Sequence, residues 1–180
     1  MQTSNEFVSK IISEKHLTAK LKSAGYEELA KYFSQFISNL NQDFSLISVV
    51  GGVASGKTTL VKELVKRIPG SDFIGTDDYV KGTREYRRNE IVAKGKSPYE
   101  KYDFEFMRNK IAEIKNITED EVVSLPQYDS HTGLAVAAGE KNFTKKISKL
   151  KLLFVEGDFQ PLTEMDLLVY FHVSDSIRTN

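Results

Sequence analysis

The residues whose types and spacing have the clearest chemical meaning form one run, GGVASGKTT, at positions 51–59. Its glycines let the main chain turn tightly and direct several N–H groups into one concavity, which suits an anion. A helix that begins near Lys57 adds the positive end of its dipole, and Lys57 adds a full charge for the β- and γ-phosphates. The Thr58 hydroxyl can ligate Mg²⁺. The spacing G-x-x-x-x-G-K-T is the P-loop pattern and predicts a nucleotide triphosphate site. The predicted cradle residues are Gly51, Gly52, Ala54, Ser55, Gly56, Lys57, Thr58 and Thr59.

Acidic residues that follow two apolar runs could supply the other parts of a phosphoryl-transfer site, a proton acceptor and metal ligands. Asp77 and Asp78 follow SDFIG, so that one could be the general base while the other caps a turn or holds water. The alternative is that both are turn residues at a strand end. Glu156 ends LLFVE, as a Walker-B-like carboxylate does, and could hold Mg²⁺ through water or be an edge acid without a role. The predicted metal ligands are Thr58, Glu156 and Asp77.

Other polar residues could contact the acceptor of the phosphate. His131 could act as a general acid or donor, although a lone histidine in a loop is more often solvated. The Tyr128 ring could form the wall of a substrate pocket or pack in the core. Basic residues outnumber acidic ones at positions 81–101, which favours a solvated helix face but also suits a phosphate or carboxylate on the acceptor. The predicted substrate contacts are Asp78, Tyr79, Arg84, Tyr128 and His131.

Hydrophobic patterning indicates an α/β fold that would position these residues. Strand-like runs occur at SLISVV, SDFIG, EVVSLP, KLLFVEG and DLLVYFHV. Helical spacing predicts helices over 57–68 and 104–116 and a third within 84–95, whereas 134–150 could be a hairpin or a loop. Five strands predict a parallel sheet, in which ligands bind beyond the carboxyl ends of the strands. The segments that come after these five strands are the P-loop, TDDY, QYDSH, EGDF and SDSIR, so polar residues are concentrated at that edge.

The hydrophobic pattern of residues 1–44 predicts a helical extension before a domain at 45–180. The helices of this extension are interrupted near Gly25. Apolar residues recur there at spacings of three and four. They are Phe7, Val8, Ile11, Ile12, Leu29, Tyr32, Phe33, Phe36, Ile37 and Leu40. This spacing favours packing of the helices onto the domain that follows. The alternative is a surface that binds a partner or forms a homo-oligomer.

Composition limits the class of protein. The chain has 180 residues, of which 40% are apolar and 28% charged, as expected for one soluble globular domain with a small appendage. It has no cysteine, which excludes disulfides and favours a cytoplasmic setting. No apolar stretch has the length of a membrane span or of a leader. Basic and acidic residues number 25 each, so no global field favours nucleic acid or anionic lipid as a partner.

Taken together, these motifs resemble the P-loop kinases of the uridine kinase, phosphoribulokinase and pantothenate kinase family, from about Ser45 to the carboxyl end. GGVASGKTT is similar to the loop of that family, GTDDYV to its second-strand motif and YEKYDFEFM to its Phe/Tyr-Asp segment. LPQYD resembles its Pro-x-Tyr-Asp segment, LLFVEG its Val-Glu-Gly strand and VSDSIR the start of its lid. The resemblance implies a three-layer P-loop NTPase sandwich that uses ATP and Mg²⁺. It also implies that Asp77 is the base for the acceptor hydroxyl, and that Lys57 and Arg178 stabilise the transferred phosphoryl group.

The departures from that family concern the acceptor. KGKSPYEKYD has no acid where uridine kinases usually carry their ribose-binding aspartate. The uracil-recognising histidine of those enzymes lies five residues after the tyrosine, whereas His131 lies three after Tyr128. The arginine-rich lid and last helix of the family would follow residue 180, so we expect a fragment in which Arg178 is what remains of the lid.

The sequence therefore favours an ATP-dependent kinase that phosphorylates a hydroxyl of a small metabolite, with a nucleoside as the first choice. A sugar phosphate or another anionic small molecule is the alternative acceptor. A hypothesis from another class is a nucleotide-binding regulatory module with little turnover that acts through the amino-terminal helices. A plain NTPase is less favoured because no clear water-positioning glutamine is present.

Overall fold

The computed structural model describes residues 25–136, 145–158 and 164–170. Its helices and strands in chain order are α1 (Tyr26–Leu40), β1 (Ser45–Val50), α2 (Lys57–Arg67), β2 (Ser71–Gly75), α3 (Arg84–Arg87), α4 (Phe104–Asn116), β3 (Val123–Leu125), β4 (Gln127–Asp129), β5 (Leu134–Val136), β6 (Lys145–Ile147), β7 (Leu152–Gly157) and β8 (Leu167–Tyr170). Two one-turn 3-10 helices, Thr76–Tyr79 and Pro98–Lys101, and a π-helical turn, Arg88–Val92, complete the assignment. The predicted helices at 57–68 and 104–116 are therefore confirmed to within one residue.

A parallel sheet of four strands forms the centre, in the order β2-β7-β1-β8. Every residue of β1 is buried, as expected for a strand of a parallel sheet that is covered on both faces. The register places Glu156 of β7 between Val49 of β1 and Gly75 of β2. Because parallel strands end at the same edge of a sheet, the segments that follow β1, β2 and β7 meet there.

One of the five predicted strands, EVVSLP, does not join the parallel sheet in the part of the chain that the structure describes. Its residues form β3, which pairs antiparallel with β6 in a separate ribbon, with Val123 opposite Ile147. Pro126 follows β3 directly and has no N–H with which to continue a ladder. After it, β4 and β5 form a short antiparallel hairpin that begins with Gln127 opposite Val136. The prediction of an α/β parallel sheet is confirmed, and its strand count is corrected from five to four for the described residues.

Two buried clusters cover the two faces of the sheet and make three layers. Side chains alternate between faces along a strand, so Ile47 and Val49 of β1 face α1 and α2, whereas Leu46 faces α4. On the first face, Phe33 of α1 meets Phe154 of β7 edge to face, with ring centroids 5.9 Å apart. On the second face, the cluster includes residues of α4, β3 and β6. Helix α1 thus belongs to the layered core, while the earlier part of the predicted extension lies outside the described residues.

None of the helices in the described residues is both long and apolar enough to cross a membrane.

Candidate nucleotide and acceptor site

The loop between β1 and α2 has the backbone of an anion-binding nest. Ala54 and Gly56 have positive φ angles of 58° and 90°, and Gly56 is the residue at which α2 is capped. Glycine adopts this conformation without strain, whereas Ala54 does so at a cost that a functional loop commonly carries. The Ser55 N–H donates to the Gly52 carbonyl at 3.2 Å, which closes the turn. Successive N–H groups in such a turn, followed by a helix N-terminus, form a site for phosphate oxygens.

Lys57 reaches back across this loop and is held by two oxygens. Its side chain is buried, and its Nζ donates to the Gly52 carbonyl at 2.9 Å and to Asp158 Oδ1 at 3.0 Å. A buried ammonium needs such partners because its desolvation is costly. The Asp158 carboxylate has negative charge and acceptor oxygens, as a phosphate has, so Lys57 is held by the kind of group that it would bind in a phosphate site.

Thr58 and Glu156 place two oxygen groups side by side at the start of α2 and the end of β7. The Thr58 hydroxyl donates to Glu156 Oε1 at 3.0 Å. Burial raises the pKa of Glu156, and the hydrogen bond from Thr58 and the charge of Lys57 oppose that rise. Among the described residues, no three or more His, Asp or Glu side chains form a ready-made metal cage. The Thr58 hydroxyl and the Glu156 carboxylate nevertheless fit Mg²⁺, which is usually held by one or two protein oxygens together with water and phosphate.

Ser55 provides a further group for the phosphates. Its hydroxyl oxygen is buried, and within the described ranges it has no hydrogen-bond partner. Buried hydroxyls in proteins are nearly always bonded, so an orphaned one at the centre of an anion nest fits a ligand oxygen. The predicted cradle is therefore assembled as one loop, and its chemistry fits the phosphates of a nucleotide.

Asp78 connects the end of β2 to the β4–β5 hairpin. Its Oδ2 accepts the Gly75 N–H at 2.9 Å, and its Oδ1 accepts the Tyr128 N–H at 2.8 Å. Burial raises the pKa of Asp78, although both N–H groups favour the ionised form. Both oxygens thus accept main-chain donors, which fits the turn-capping interpretation of this residue, and its predicted contact with the acceptor stays a prediction.

Tyr79 departs from its predicted position. Its side chain is 2% exposed and belongs to the core cluster on the α4 face, where its ring lies edge to face with that of Phe106. A Tyr79 contact with the acceptor is therefore corrected to a core contact, because the helical turn at 76–79 directs this large ring inward.

Asp77 remains exposed at the edge where β2 and β7 end, and it is held by a residue that sequence reasoning missed. Its Oδ1 accepts a hydrogen bond from the Tyr102 hydroxyl at 3.3 Å. Tyr102 is 2% exposed, and burial together with the nearby charges of Asp77 and Asp158 raises its pKa, so that the phenol stays protonated and donates. The Tyr-Asp pair in YEKYDFEFM was the available signal, since the family resemblance rests on that segment. After burial, the negative charge of Asp77 is a further cause that raises the pKa of Glu156, so the two carboxylates are close enough to interact electrostatically.

Two arginines attach the segment after β2 to the hairpin. Arg84 Nη2 donates to the Ser130 carbonyl at 2.6 Å, and its guanidinium lies 3.4 Å from the Tyr128 hydroxyl. Arg87 donates to the carbonyls of Gly82 and Gly133, at 2.5 and 2.9 Å. Within the described residues, neither guanidinium has an ion pair with a carboxylate, so their charges are not neutralised in this part of the chain.

The turn of the hairpin is stabilised by Asp129. Its carboxylate accepts from the His131 N–H and from the Thr132 hydroxyl, at 2.8 and 2.7 Å, and these bonds hold the pKa of Asp129 below its usual range. The side chain of His131 is exposed and makes no described contact with Asp77 or the loop. Arg178 lies outside the described residues, so its predicted role stays a prediction.

No family model matches the chain. A curated uridine kinase from Borrelia hermsii is 26% identical over 138 residues, which are 74% of this chain and 63% of the relative. The chain thus spans less than two thirds of the length of that relative. Among solved structures, a candidate fructose transport system kinase from Silicibacter sp. TM1040 has a TM-score of 0.60 at 18% identity, over 76% of this chain and 64% of the other. D-glycerate 3-kinase from Cryptococcus neoformans var. grubii has a TM-score of 0.57 at 18% identity, over 76% and 52%.

These comparisons agree with the resemblance that the motifs indicate. The chain is distantly similar to curated uridine kinases, and the two solved kinases named above share its fold. At 18% identity the structural likeness establishes the fold. The site residues are assigned from their own geometry.

Proposed function

We propose that this chain carries the catalytic core of an ATP-dependent phosphotransferase that moves the γ-phosphate of ATP to a hydroxyl of a small metabolite. The observation that supports this proposal most strongly is the meeting of two sites at one edge of the sheet. An anion nest with a buried lysine held by a carboxylate lies beside an exposed aspartate that is oriented by a phenol. A phosphate cradle next to an exposed, oriented carboxylate contains the parts that phosphoryl transfer to an alcohol requires.

The chemistry follows from these residues. ATP phosphates enter the nest, and Lys57 exchanges the Asp158 carboxylate for phosphate oxygens. Thr58 and Glu156 would hold Mg²⁺, which neutralises phosphate charge when bound. Asp77 accepts the proton of the acceptor hydroxyl as its oxygen forms a bond to the γ-phosphorus and the bond to the β-phosphate oxygen breaks, releasing ADP. The Arg178 guanidinium would place a positive charge next to the transferred phosphoryl group.

Two acceptor classes have support of different kinds. The distant homology to a uridine kinase favours a nucleoside. The arginine pair of α3 favours an acceptor that already carries an anion, such as a sugar phosphate, because both guanidinium charges meet only neutral oxygens among the described residues. A cytoplasmic location and a homo-oligomer stay predictions.

The test is ADP release by the chain with Mg-ATP and one acceptor at a time, from nucleosides, sugar phosphates, pantothenate and glycerate. We expect one acceptor to stimulate release and Asp77→Asn to reduce it by roughly 100-fold or more, since a general base contributes that much. ATP affinity should be unchanged in this variant. Asp120→Asn, which changes an exposed carboxylate elsewhere on the surface, is the matched control.

Tight ATP binding without stimulation by any acceptor would contradict the kinase proposal. That result would favour the regulatory module with little turnover.

A further inference from the structure

The segment that contains Tyr102 is attached to the segment that contains Asp77 by main-chain hydrogen bonds. Val80 and Tyr102 form an antiparallel bridge. On either side of it, the Lys81 N–H donates to the Lys101 carbonyl at 2.7 Å, and the Asp103 N–H donates to the Tyr79 carbonyl at 2.8 Å. The Tyr102 ring is thereby fixed relative to the turn that carries Asp77.

The ring of Tyr102 is also held by its neighbours in space. It stacks on Phe104 with centroids 5.5 Å apart, and the Lys101 ammonium lies 4.7 Å above it. Because the side chain is buried, its hydroxyl has little freedom to leave the Asp77 carboxylate. The bond from Tyr102 to Asp77 therefore joins a rigid donor to a side chain that is otherwise exposed.

A second contact extends this arrangement to β7. The Thr76 side chain lies next to the Tyr102 hydroxyl, close enough to oppose the rise in the pKa of Tyr102 that burial causes. Thr76 in turn packs against Gly157, where a Cβ would lie 2.4 Å from Thr76 Oγ1. Gly157 is the last residue of β7, so Thr76 lies between Tyr102 and the end of that strand.

We propose that Tyr102 is a positioning residue that fixes the carboxylate of Asp77 for the acceptor hydroxyl. This inference rests on the proposed function. An exposed aspartate can adopt several rotamers, and only some of them place an oxygen within reach of a bound alcohol. The phenol occupies Oδ1, while Oδ2 has no hydrogen-bond donor among the described residues and is left for the acceptor. Preorganisation of this kind raises the rate of the transfer step without adding a contact to ATP.

Tyr102→Phe tests this role, because it keeps the buried ring and its stacking and removes only the hydroxyl. We expect kcat with the stimulating acceptor to fall about tenfold, as for the loss of one oriented hydrogen bond to a charged group. The ATP dissociation constant and the KM for ATP should be unchanged. Tyr32→Phe is the matched control, since the Tyr32 hydroxyl is buried in α1 without a partner among the described residues.

An unchanged kcat in Tyr102→Phe would overturn the inference, even if Asp77→Asn abolishes turnover. A loss of ATP affinity and of thermal stability in parallel with kcat would also overturn it, because that pattern indicates a merely structural role.

If the wild-type chain releases no ADP with any acceptor, the proposed function fails separately. Crystal structures of wild type and Tyr102→Phe then decide about the positioning role. A single Asp77 rotamer in wild type that becomes several in the variant supports it, and the same rotamer in both overturns it.

Discussion

The nucleotide half and the acceptor half of the site are built in different ways. In the nucleotide half, the nest, the start of α2 and the main-chain partner of Lys57 all come from positions 51–59, and Lys57 bonds to a carbonyl only five residues earlier. In the acceptor half, Asp78 bonds to Tyr128 fifty positions away, and Arg84 bonds to Ser130 forty-six positions away. The phosphate loop itself is a local backbone structure, to which only the side chains of Glu156 and Asp158 are added from a distant segment, whereas the acceptor half is an assembly of distant segments.

This difference implies that the two halves can be changed separately. Local backbone geometry fixes the nest whatever the acceptor is, whereas the acceptor half depends on side chains that join the α3 segment, the α4 segment and the hairpin. We therefore expect substitutions in the first half to act on ATP affinity, and substitutions in the second to act on the acceptor with little effect on ATP.

The largest effect on ATP binding should come from Lys57→Ala. The loss of a buried ammonium that contacts phosphate should weaken ATP binding by roughly 100-fold, because truncating a desolvated charge pair costs several kcal/mol. Titration calorimetry with ATP measures this effect. Lys62→Ala, on the exposed face of the same helix, is the control and should bind ATP as wild type does.

An ATP affinity within a few fold of wild type in Lys57→Ala would show that the nest alone holds the nucleotide. The expectation that side-chain substitutions in the nucleotide half act on ATP affinity would then be wrong.

A smaller effect is expected for Asp78→Ala, which leaves the N–H groups of Gly75 and Tyr128 without their acceptor. Two lost hydrogen bonds should lower the free energy of unfolding by about 2–4 kcal/mol and release the hairpin from β2. The KM for the acceptor should rise, while the ATP dissociation constant stays close to the wild-type value. Chemical denaturation and steady-state kinetics measure these quantities, with Asp120→Ala as the exposed control.

Should Asp78→Ala weaken ATP binding as much as it raises the KM for the acceptor, the halves are coupled. The β2 turn would then have to be counted as part of the nucleotide site.

The same difference explains how much the sequence could predict. Strand β1, helix α2 and the cradle between them follow from a contiguous pattern, and helix α4 follows from apolar periodicity and the Asp103 cap, whose side chain accepts the Phe106 N–H. The spacing alone named Asp77 and Asp78 as a pair, and only the family resemblance singled out Asp77 as the base. Their distinction depends on the Tyr128 N–H, whose approach is set by tertiary structure.

Other features depended on pairing that no local signal contains. The β3 run has the composition of a sheet strand, yet it pairs with β6 in a separate ribbon. Pro126, which follows it, explains where the strand ends but not which partner it takes. Tyr102 was missed as a site residue because its hydroxyl meets Asp77 only through the bridge between Val80 and Tyr102. Periodicity identifies such a tyrosine as core, and only the register shows what its hydroxyl contacts.

The smallest expected effect, and the one that tests the nucleotide half most finely, comes from Asp158→Asn. Asp158 competes with phosphate for Lys57 and adds a negative charge where ATP binds, so its neutralisation should tighten ATP binding by about three- to tenfold, as for one partly exposed ion pair. Titrations with Mg²⁺ and with EDTA distinguish two origins. Tighter binding in both conditions identifies Asp158 as a competitor of phosphate. Weaker binding only with Mg²⁺ would instead make Asp158 a support for the metal, and the nucleotide half would then also depend on a contact between positions 101 residues apart.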